Sequence, residues 1–294
     1  MTGEGKRILS VSRRTDVPAW YGRWFMERLN EGRACYGTPF SSRVHEVSLL
    51  PEDVLAFVFW TRNALPFLPA VDRLEREGRL FYFQYTHTGY GPPWEPSGPG
   101  ERGLEGLIRL AERIGPERVV WRYDPILLAP GEEPEDHRRR FRRIAGRLRG
   151  KVDTVIVSYL DRYRKVDRRL RAAGLDVREP SVGEARRLML DLMEIAAEKG
   201  ISLAACCEEE RKPEETPAAS CVDPDRIRRL AGDPDLRINR RPTRPGCGCA
   251  ESRDIGAYDT CPFGCVYCYA VSSPERAERS LRAHEPGEDR LRPA

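Results

Sequence analysis

The chain has 294 residues, enough for one elaborated α/β domain or for two smaller domains. Its 50 Lys and Arg residues are nearly balanced by 46 Asp and Glu residues, so the net charge of +4 indicates no particular class of partner. No apolar run approaches the roughly 18 residues that span a bilayer, and residues 1–11 do not resemble a secretory signal. We therefore expect a soluble cytoplasmic protein without membrane contacts.

Six short apolar or aromatic runs are typical of buried parallel strands. They are residues 8–12, 56–61, 80–86, 119–123, 154–159 and 202–205. Amphipathic segments between them predict helices. These are residues 20–30, 68–77, 103–114, 137–148 and 183–199, the last with Ser181 as its N-cap. Such alternation indicates an α/β fold with a parallel sheet, and six units fit a partial (β/α)6 TIM-like barrel better than a closed eight-stranded one.

Polar residues follow the ends of these predicted strands. Because functional groups of parallel α/β folds gather at the C-terminal ends of strands, we expect them to line one pocket. The candidates for catalysis are Arg13, Asp16, Arg122 and Asp124, and the candidates for binding a cofactor are Thr61, Gln84, Thr86 and Ser158. An ion-pair network of Arg13, Arg14 and Asp16 explains the first group equally well, and a turn before Pro125 explains Asp124. Residues 88–103 are rich in Gly and Pro and predict an irregular loop or lid over this face.

Three cysteines near the C-terminal end have the spacing CxxxCxxC. They are Cys261, Cys265 and Cys268. Without a secretory signal, the nine cysteines of the chain argue against a disulfide framework and in favour of metal binding or catalysis. A loop with this spacing can bind three irons of a [4Fe-4S] cluster through soft thiolates and leave the fourth iron open. A zinc-stapled segment without redox chemistry is the alternative.

Four further cysteines predict a second metal centre. They are Cys207, Cys221, Cys247 and Cys249, and four thiolates suit either a second [4Fe-4S] cluster or zinc. Glycines flank the pair Cys247 and Cys249 and let the backbone turn tightly around a metal. Cys206 is left out of the set, because adjacent residues of a strand point to opposite faces.

The CxxxCxxC spacing, with Tyr267 directly before the last cysteine, resembles the signature of radical S-adenosylmethionine (SAM) enzymes. In these enzymes the open iron binds the methionine moiety of SAM, and an electron from the cluster cleaves SAM to a 5'-deoxyadenosyl radical. The resemblance implies that Tyr267 lies beside the adenine and that an electron donor such as flavodoxin or ferredoxin is a partner. Arg13 or Arg122 would pair with a carboxylate or phosphate of the ligand.

Two narrower resemblances cover more of the chain. The strings GCVYCYA (264–270), WTRN (60–63) and RYDP (122–125) look like segments of the spore photoproduct lyase-like branch of radical SAM proteins. Over nearly its full length, including SRRTDVPAWY (12–21), TGYG (88–91) and DIGAYDTC (254–261), the chain resembles a prokaryotic family known as domain of unknown function eighteen-forty-eight. The first resemblance implies a nucleic-acid lesion as one candidate substrate, and the second implies no particular substrate.

The three cysteines stand in an unusual place for a radical SAM enzyme, where they usually follow the first barrel strand. A circular permutation explains this if residues 253–258 form the first strand and residues 8–12 the second; a cysteine lid over the barrel mouth is the alternative. We predict a barrel at 1–205, a cysteine-rich iron–sulfur segment at 206–270 and a tail at 271–294. The predicted function is a radical SAM enzyme of unknown substrate, and the alternatives are a zinc-stapled structural protein and a nucleic-acid-binding module with a purely structural cluster.

Overall fold

A parallel sheet of seven strands forms the centre of the fold in the computed structural model, which describes residues 5–38 and 41–292. Its strands are β1 (Arg7–Val11), β4 (Val54–Thr61), β5 (Phe81–Thr86), β6 (Val119–Ile126), β7 (Thr154–Tyr159), β8 (Ser202–Ala205) and β9 (Arg253–Asp254). The order across the sheet is β8-β7-β6-β5-β4-β1-β9. All neighbouring strands run parallel, and the sheet is open, with β8 and β9 at its two edges.

Nine α-helices accompany the sheet in the described ranges. They are α1 (Val17–Trp20), α2 (Gly22–Glu31), α3 (Leu68–Arg76), α4 (Gly100–Ile114), α5 (Pro134–Leu148), α6 (Arg164–Ala172), α7 (Val182–Ala197), α8 (Pro224–Ala231) and α9 (Pro274–Ala283). Two short 3-10 helices span Leu65–Phe67 and Pro116–Arg118, and the antiparallel hairpin of β2 (Arg33–Thr38) and β3 (Ser41–Ser48) lies outside the sheet. The fold is therefore a mixed α/β architecture.

The sheet buries both of its faces. Alternate residues of each strand point to opposite sides, and one side, here called the helix face, packs through aromatic residues such as Phe57, Phe59 and Phe83 against the helices. The other side, here called the cysteine face, carries a row of apolar residues that packs against the segment containing Cys206, Cys247 and Cys249. That row consists of Ile8, Ala56, Val58, Tyr82, Val120 and Ile156. The cysteine-rich segment thus takes the place of a helical layer on one side of the sheet.

The predicted α/β pattern is confirmed in its main parts. All six predicted strands are present, and β9 adds a seventh that pairs with β1, the neighbour expected for it. Ser181 caps α7, its hydroxyl accepting a hydrogen bond from the Glu184 amide at 3.2 Å. The hairpin β2–β3 and the helices α6 and α8 were not predicted. A closed barrel is not observed.

Three predictions extend beyond the described part of the chain. The secretory-signal analysis and the predicted first segment include residues 1–4, and the predicted tail includes residues 293–294; these residues lie outside the described ranges. Within those ranges, no helix combines the length and the apolar character that crossing a membrane requires.

Candidate metal centres

The CxxxCxxC loop lies at the C-terminal ends of β1 and β4. The Tyr269 hydroxyl donates to the backbone oxygen of Arg13, which follows β1, at 2.8 Å. The side chain of Arg62, which follows β4, donates to the Tyr267 hydroxyl at 3.1 Å. Cys265 is buried and Cys261 and Cys268 are half-buried, within a small apolar cluster. The loop therefore occupies the end of the sheet where ligands of parallel α/β folds bind.

A buried polar network around Glu95 is hydrogen-bonded to this loop. Glu95 accepts hydrogen bonds from the Tyr267 hydroxyl, from Arg62 and from the Thr88 hydroxyl, the last at 2.6 Å. The amide of Val266 donates to the backbone oxygen next to Glu95, that of Trp94, at 3.1 Å. Burial raises the pKa of Tyr267 well above its usual range, although the Arg62 guanidinium acts in the opposite direction. The Tyr267 hydroxyl is thus anchored within the protein.

Two of the three thiols lie in a setting that keeps them protonated without a metal. Burial raises the pKa of Cys265 to about 12, with the Arg62 guanidinium opposing the shift. Burial and then the Asp16 carboxylate raise the pKa of Cys261 well above its usual range. Cys268 accepts a hydrogen bond at its sulfur from the Ala270 amide at 3.4 Å. A bound metal would replace these protons, since thiolates are the ligating form.

Asp254 joins the strand before the cysteine loop to β1. Its half-buried carboxylate accepts five hydrogen bonds, at 2.6 to 3.1 Å. The donors are the hydroxyls of Ser10 and Ser12, the amides of Arg13 and Gly256, and the Arg14 guanidinium. The ion pair at this strand end is therefore between Arg14 and Asp254, at 3.1 Å, so the expected network of Arg13, Arg14 and Asp16 was wrong in its acidic partner. The reason is that β9 inserts a carboxylate beside β1.

Four predicted site residues meet on the cysteine face. Arg122 donates to Gln84 at 3.4 Å and to Asp124, and the Ser158 hydroxyl also donates to Asp124. Thr86 lies half-buried on the same face, two residues beyond Gln84. This part of the predicted pocket is brought together by neighbouring strands.

Two predicted site residues lie elsewhere. Thr61 points to the helix face and is buried. Asp16 caps α1, accepting from the Ala19 amide at 2.9 Å and from the Arg62 amide at 2.6 Å. Burial raises the pKa of Asp16 to about 7 although these amides oppose the shift. Asp16 and Thr61 thus belong to the surroundings of Cys261 and not to the group around Arg122.

A second group of thiols lies on the cysteine face. The sulfur of Cys206 is 3.7 Å from that of Cys221 and 3.9 Å from that of Cys207. The amide of Val222, the residue after Cys221, donates to the Cys249 sulfur at 3.4 Å, and Cys247 packs in the same cluster. Arg122 donates to the Cys221 sulfur at 3.0 Å. The four cysteines predicted for a second centre therefore lie close together, and Cys206 lies with them as a fifth.

Neither group of cysteines is arranged around a position for one metal ion. In the part of the chain that the structure describes, no set of three or more His, Cys, Asp or Glu side chains is arranged to hold a metal ion. A cubane cluster places each thiolate on a different iron, so its ligands need not surround one point. Each group nevertheless offers the soft sulfur donors that iron–sulfur clusters and zinc require.

Comparison with known proteins gives a family for the chain. Residues 8–270 match the family described as Domain of unknown function (DUF1848). The chain belongs to this family. No curated protein matches it. The match spans the seven-stranded sheet and both groups of cysteines.

Several residues around the sites were missed in the sequence. Glu95 lies in a Gly- and Pro-rich stretch where a charged residue is usually solvated, and no periodic signal marks it. Asp254 and Arg62 stand inside the strings DIGAYDTC and WTRN, which carried the family resemblance without assigning them a role. Cys206 was excluded by strand alternation, but the strand ends at Ala205 and Cys207 has a φ of 56°, so alternation no longer applies.

Proposed function

We propose that this protein is a radical SAM enzyme that holds a [4Fe-4S] cluster through Cys261, Cys265 and Cys268. The observation that carries the proposal is the position of this CxxxCxxC loop at the C-terminal ends of β1 and β4. When bound, the cluster and SAM supply reductive cleavage of a carbon–sulfur bond and a 5'-deoxyadenosyl radical. The protein supplies binding, orientation and exclusion of water.

The order of the strands supports a circularly permuted barrel of the radical SAM type. β9 precedes the cysteine loop and pairs in parallel with β1, whose other neighbour is β4. In the sheet, the order β9, β1, β4 is therefore that of a first, a second and a third strand. On this proposal the chain begins at the second strand and returns to the first at residues 253–254, which places the cysteines directly after it.

The donor set of the loop fits such a cluster. Three thiols lie on eight consecutive residues in apolar surroundings, and the guanidinium of Arg169 donates to the backbone oxygens of Cys268 and Val271, the latter at 2.6 Å. A positive charge beside Cys265 and Cys268 offsets the negative charge that deprotonated sulfurs bring into a buried place. Arg169 and Arg62 thereby stabilise the thiolates, and the Ala270 amide orients Cys268.

The polar residues of this end of the sheet are available to orient ligands. The Nε atom of Arg13 is buried and has no hydrogen-bond partner among the described residues, while its guanidinium lies over Trp60. A carboxylate or phosphate would satisfy this donor, in agreement with the role expected for Arg13. Gln84, Thr86 and Ser158 offer further polar groups on the same face. A one-electron donor such as flavodoxin or ferredoxin completes the proposal.

Anaerobic reconstitution with iron and sulfide tests the proposal. We expect the reduced protein to give a [4Fe-4S] electron paramagnetic resonance signal that changes on addition of SAM, and we expect the SAM-dependent change to be absent in Cys265→Ala. Cys35→Ala, which alters a buried cysteine of the hairpin, is the matched control and should behave like the natural protein. A protein that takes up zinc but no iron, or a signal indifferent to SAM, would contradict it.

A further inference from the structure

We infer that a second metal centre lies on the cysteine face, bound by the four thiolates of Cys206, Cys221, Cys247 and Cys249. This site does not depend on SAM chemistry. It replaces Cys207, which the sequence favoured, by Cys206. The centre takes zinc or an iron–sulfur cluster, both of which four thiolates bind. Because no single-ion site is preformed among the described residues, the sulfurs close around the metal when it binds.

The positions of the thiols favour these four as ligands. Cys206 and Cys221 are 15 residues apart in sequence, so their sulfur separation of 3.7 Å results from the fold. Two thiolates that share one tetrahedral ion lie about 3.8 Å apart when the metal–sulfur distance is about 2.3 Å. Cys249 lies beside Cys221, because the amide of the next residue, Val222, donates to the Cys249 sulfur at 3.4 Å, and Cys247 packs in the same buried cluster as Cys206 and Cys249. Cys207 also lies beside this group, since its Cα is 3.7 Å from the position of a Cβ at Gly246, but its sulfur contact, at 3.9 Å, is with its own chain neighbour Cys206 and so carries less information about the fold.

The backbone holds three segments together around these sulfurs. The amide of Cys206 donates to Val157 of β7 at 2.9 Å. Cys221 is fixed through its backbone oxygen, which accepts from Tyr82 at 2.7 Å and from Gln84 at 2.8 Å. The Val222 amide donates to the sulfur of Cys249 at 3.4 Å. The sheet itself thus positions the ligands.

Gly248 explains how the two last cysteines reach this place. A Cβ atom at Gly248 would lie 2.5 Å from the hydroxyl oxygen of Ser220, closer than real side chains approach. A side chain at position 248 would force the Ser220 hydroxyl aside, so glycine lets the loop between Cys247 and Cys249 pack closely against the residue before Cys221. A compact turn of this kind brings the two outer thiols toward the same ligand.

Guanidinium groups supply charge for thiolates at this site. Arg122 donates to the Cys221 sulfur at 3.0 Å, and Arg244 lies 3.9 Å from the Cys206 sulfur. Buried negative charge is costly unless it is paired. Because Arg122 also bonds Asp124, it acts as a positioning residue that links the second centre to the polar group with Ser158.

The test uses the full chain with Cys261, Cys265 and Cys268 all replaced by Ala. Removing the first set of ligands makes the result independent of the proposed radical chemistry. One portion is loaded with zinc and another is reconstituted anaerobically with iron and sulfide, and bound metal is measured per chain. We expect one of the two portions to retain metal, and which of them does so identifies the centre.

Neighbouring cysteines provide the matched variants in that background. Cys206→Ala and Cys249→Ala should each lower bound metal at least fivefold, whereas Cys207→Ala and Cys35→Ala should leave it unchanged. The opposite pattern, with metal lost in Cys207→Ala and kept in Cys206→Ala, overturns the ligand set. A background protein that binds neither metal overturns the site itself.

Three further measurements distinguish the loss of a ligand from unfolding of the protein and from formation of a disulfide. Cys206→Ser keeps the size of the side chain, so retained circular dichroism together with lost metal assigns the loss to the ligand. Cobalt(II) added to the background protein should give a thiolate charge-transfer band that is weaker in Cys206→Ser and unchanged in Cys207→Ser. Mass spectrometry that finds Cys206 and Cys221 joined by a disulfide in anaerobically purified protein overturns the proposal.

Discussion

Two tyrosines two residues apart have different roles. Tyr267 and Tyr269 stand in the same motif. Tyr267 is buried and its hydroxyl is hydrogen-bonded to Glu95 and Arg62, whereas Tyr269 is 39% exposed and its hydroxyl donates to the backbone oxygen of Arg13. Strings such as CVYC specify an aromatic residue without specifying its environment. The buried network explains why an aromatic residue with a hydroxyl group stands before Cys268.

Tyr267→Phe should destabilise the protein more than Tyr269→Phe. The first change removes a hydroxyl that bonds the buried Glu95 and the half-buried Arg62, at a cost of about 1 to 3 kcal/mol. The second removes a bond at the surface, where water replaces the partner, and should cost less than about 1 kcal/mol. Urea unfolding monitored by circular dichroism measures both. Equal losses of unfolding free energy in the two variants would contradict a larger contribution of the Tyr267 hydroxyl to stability.

At the scale of elements, the short strand β9 has a large role. It contains two residues, yet its Asp254 carboxylate joins the end of β1 to the start of the segment that carries the three cysteines. Main-chain pairing of two residues is too little to fix a strand. The side chain of Asp254 therefore determines where the cysteine loop begins.

Asp254→Asn should loosen this segment. The amide nitrogen of Asn cannot accept the hydrogen bonds that one oxygen of Asp254 accepts, and leaving these donors unpaired costs about 1 to 3 kcal/mol. We expect faster amide hydrogen exchange over residues 255–268 and no change in β5. Asp153→Asn, which breaks an ion pair with Arg226 at 2.8 Å elsewhere, is the control and should leave that segment protected. Unchanged exchange at 255–268 in Asp254→Asn would contradict the role of β9.

The elements found from the sequence are those with an apolar signal. β4, β5 and β7 are nearly continuous apolar runs because both faces of the sheet are covered. The hairpin β2–β3 has polar sequences, RACYGT and SSRVHEVS, and carries no such signal.

Distant contacts explain what the sequence did not predict at the sites. The trio of cysteines is a local motif, so its spacing alone indicated a metal. The partnership of Cys206 with Cys221, and that of Glu95 with Tyr267, join residues far apart in the chain. Only the fold brings them together, and no spacing rule contains them.

At the scale of the whole molecule, one sheet carries two groups of cysteines. Residues 206–250 cover the cysteine face, and residues 261–268 close the end of the sheet. Arg122 donates a hydrogen bond to Cys221 on the cysteine face. It also bonds Asp124, which accepts a hydrogen bond from Ser158 near the strand ends. Changes at either centre are therefore expected to act on the same polar residues.

The stability of the molecule should depend on His137 in a pH-dependent way. Its Nε2–H donates to the backbone oxygen of Leu127 at 2.8 Å, and its Nδ1 accepts from the Tyr123 hydroxyl at 2.9 Å. Burial lowers the pKa of His137 from 6.5 to about 4. The unfolded chain takes up a proton below pH 6.5 and the folded chain does not, so this contribution is complete above pH 6.5 and is lost as the pH falls toward 4.

His137→Gln isolates that contribution from other groups that titrate. Asp16 and Glu208, whose pKa values burial raises to about 7, act in the opposite direction and are present in both proteins. The difference in unfolding free energy between the natural protein and the variant should fall by about 2 kcal/mol from pH 7 to pH 5. Urea unfolding at the two pH values measures it, with His45→Gln as the control. A difference independent of pH would show that His137 is not held neutral.

The formation of 5'-deoxyadenosine tests the central claim most directly. The full chain, reconstituted anaerobically with iron and sulfide and reduced with dithionite, is incubated with SAM alone, so that no substrate has to be known. We predict 5'-deoxyadenosine and methionine in the natural protein and in Cys35→Ala, and at least a tenfold loss in Cys265→Ala. Full iron loading with no 5'-deoxyadenosine above the protein-free reaction would contradict the assignment of this protein as a radical SAM enzyme.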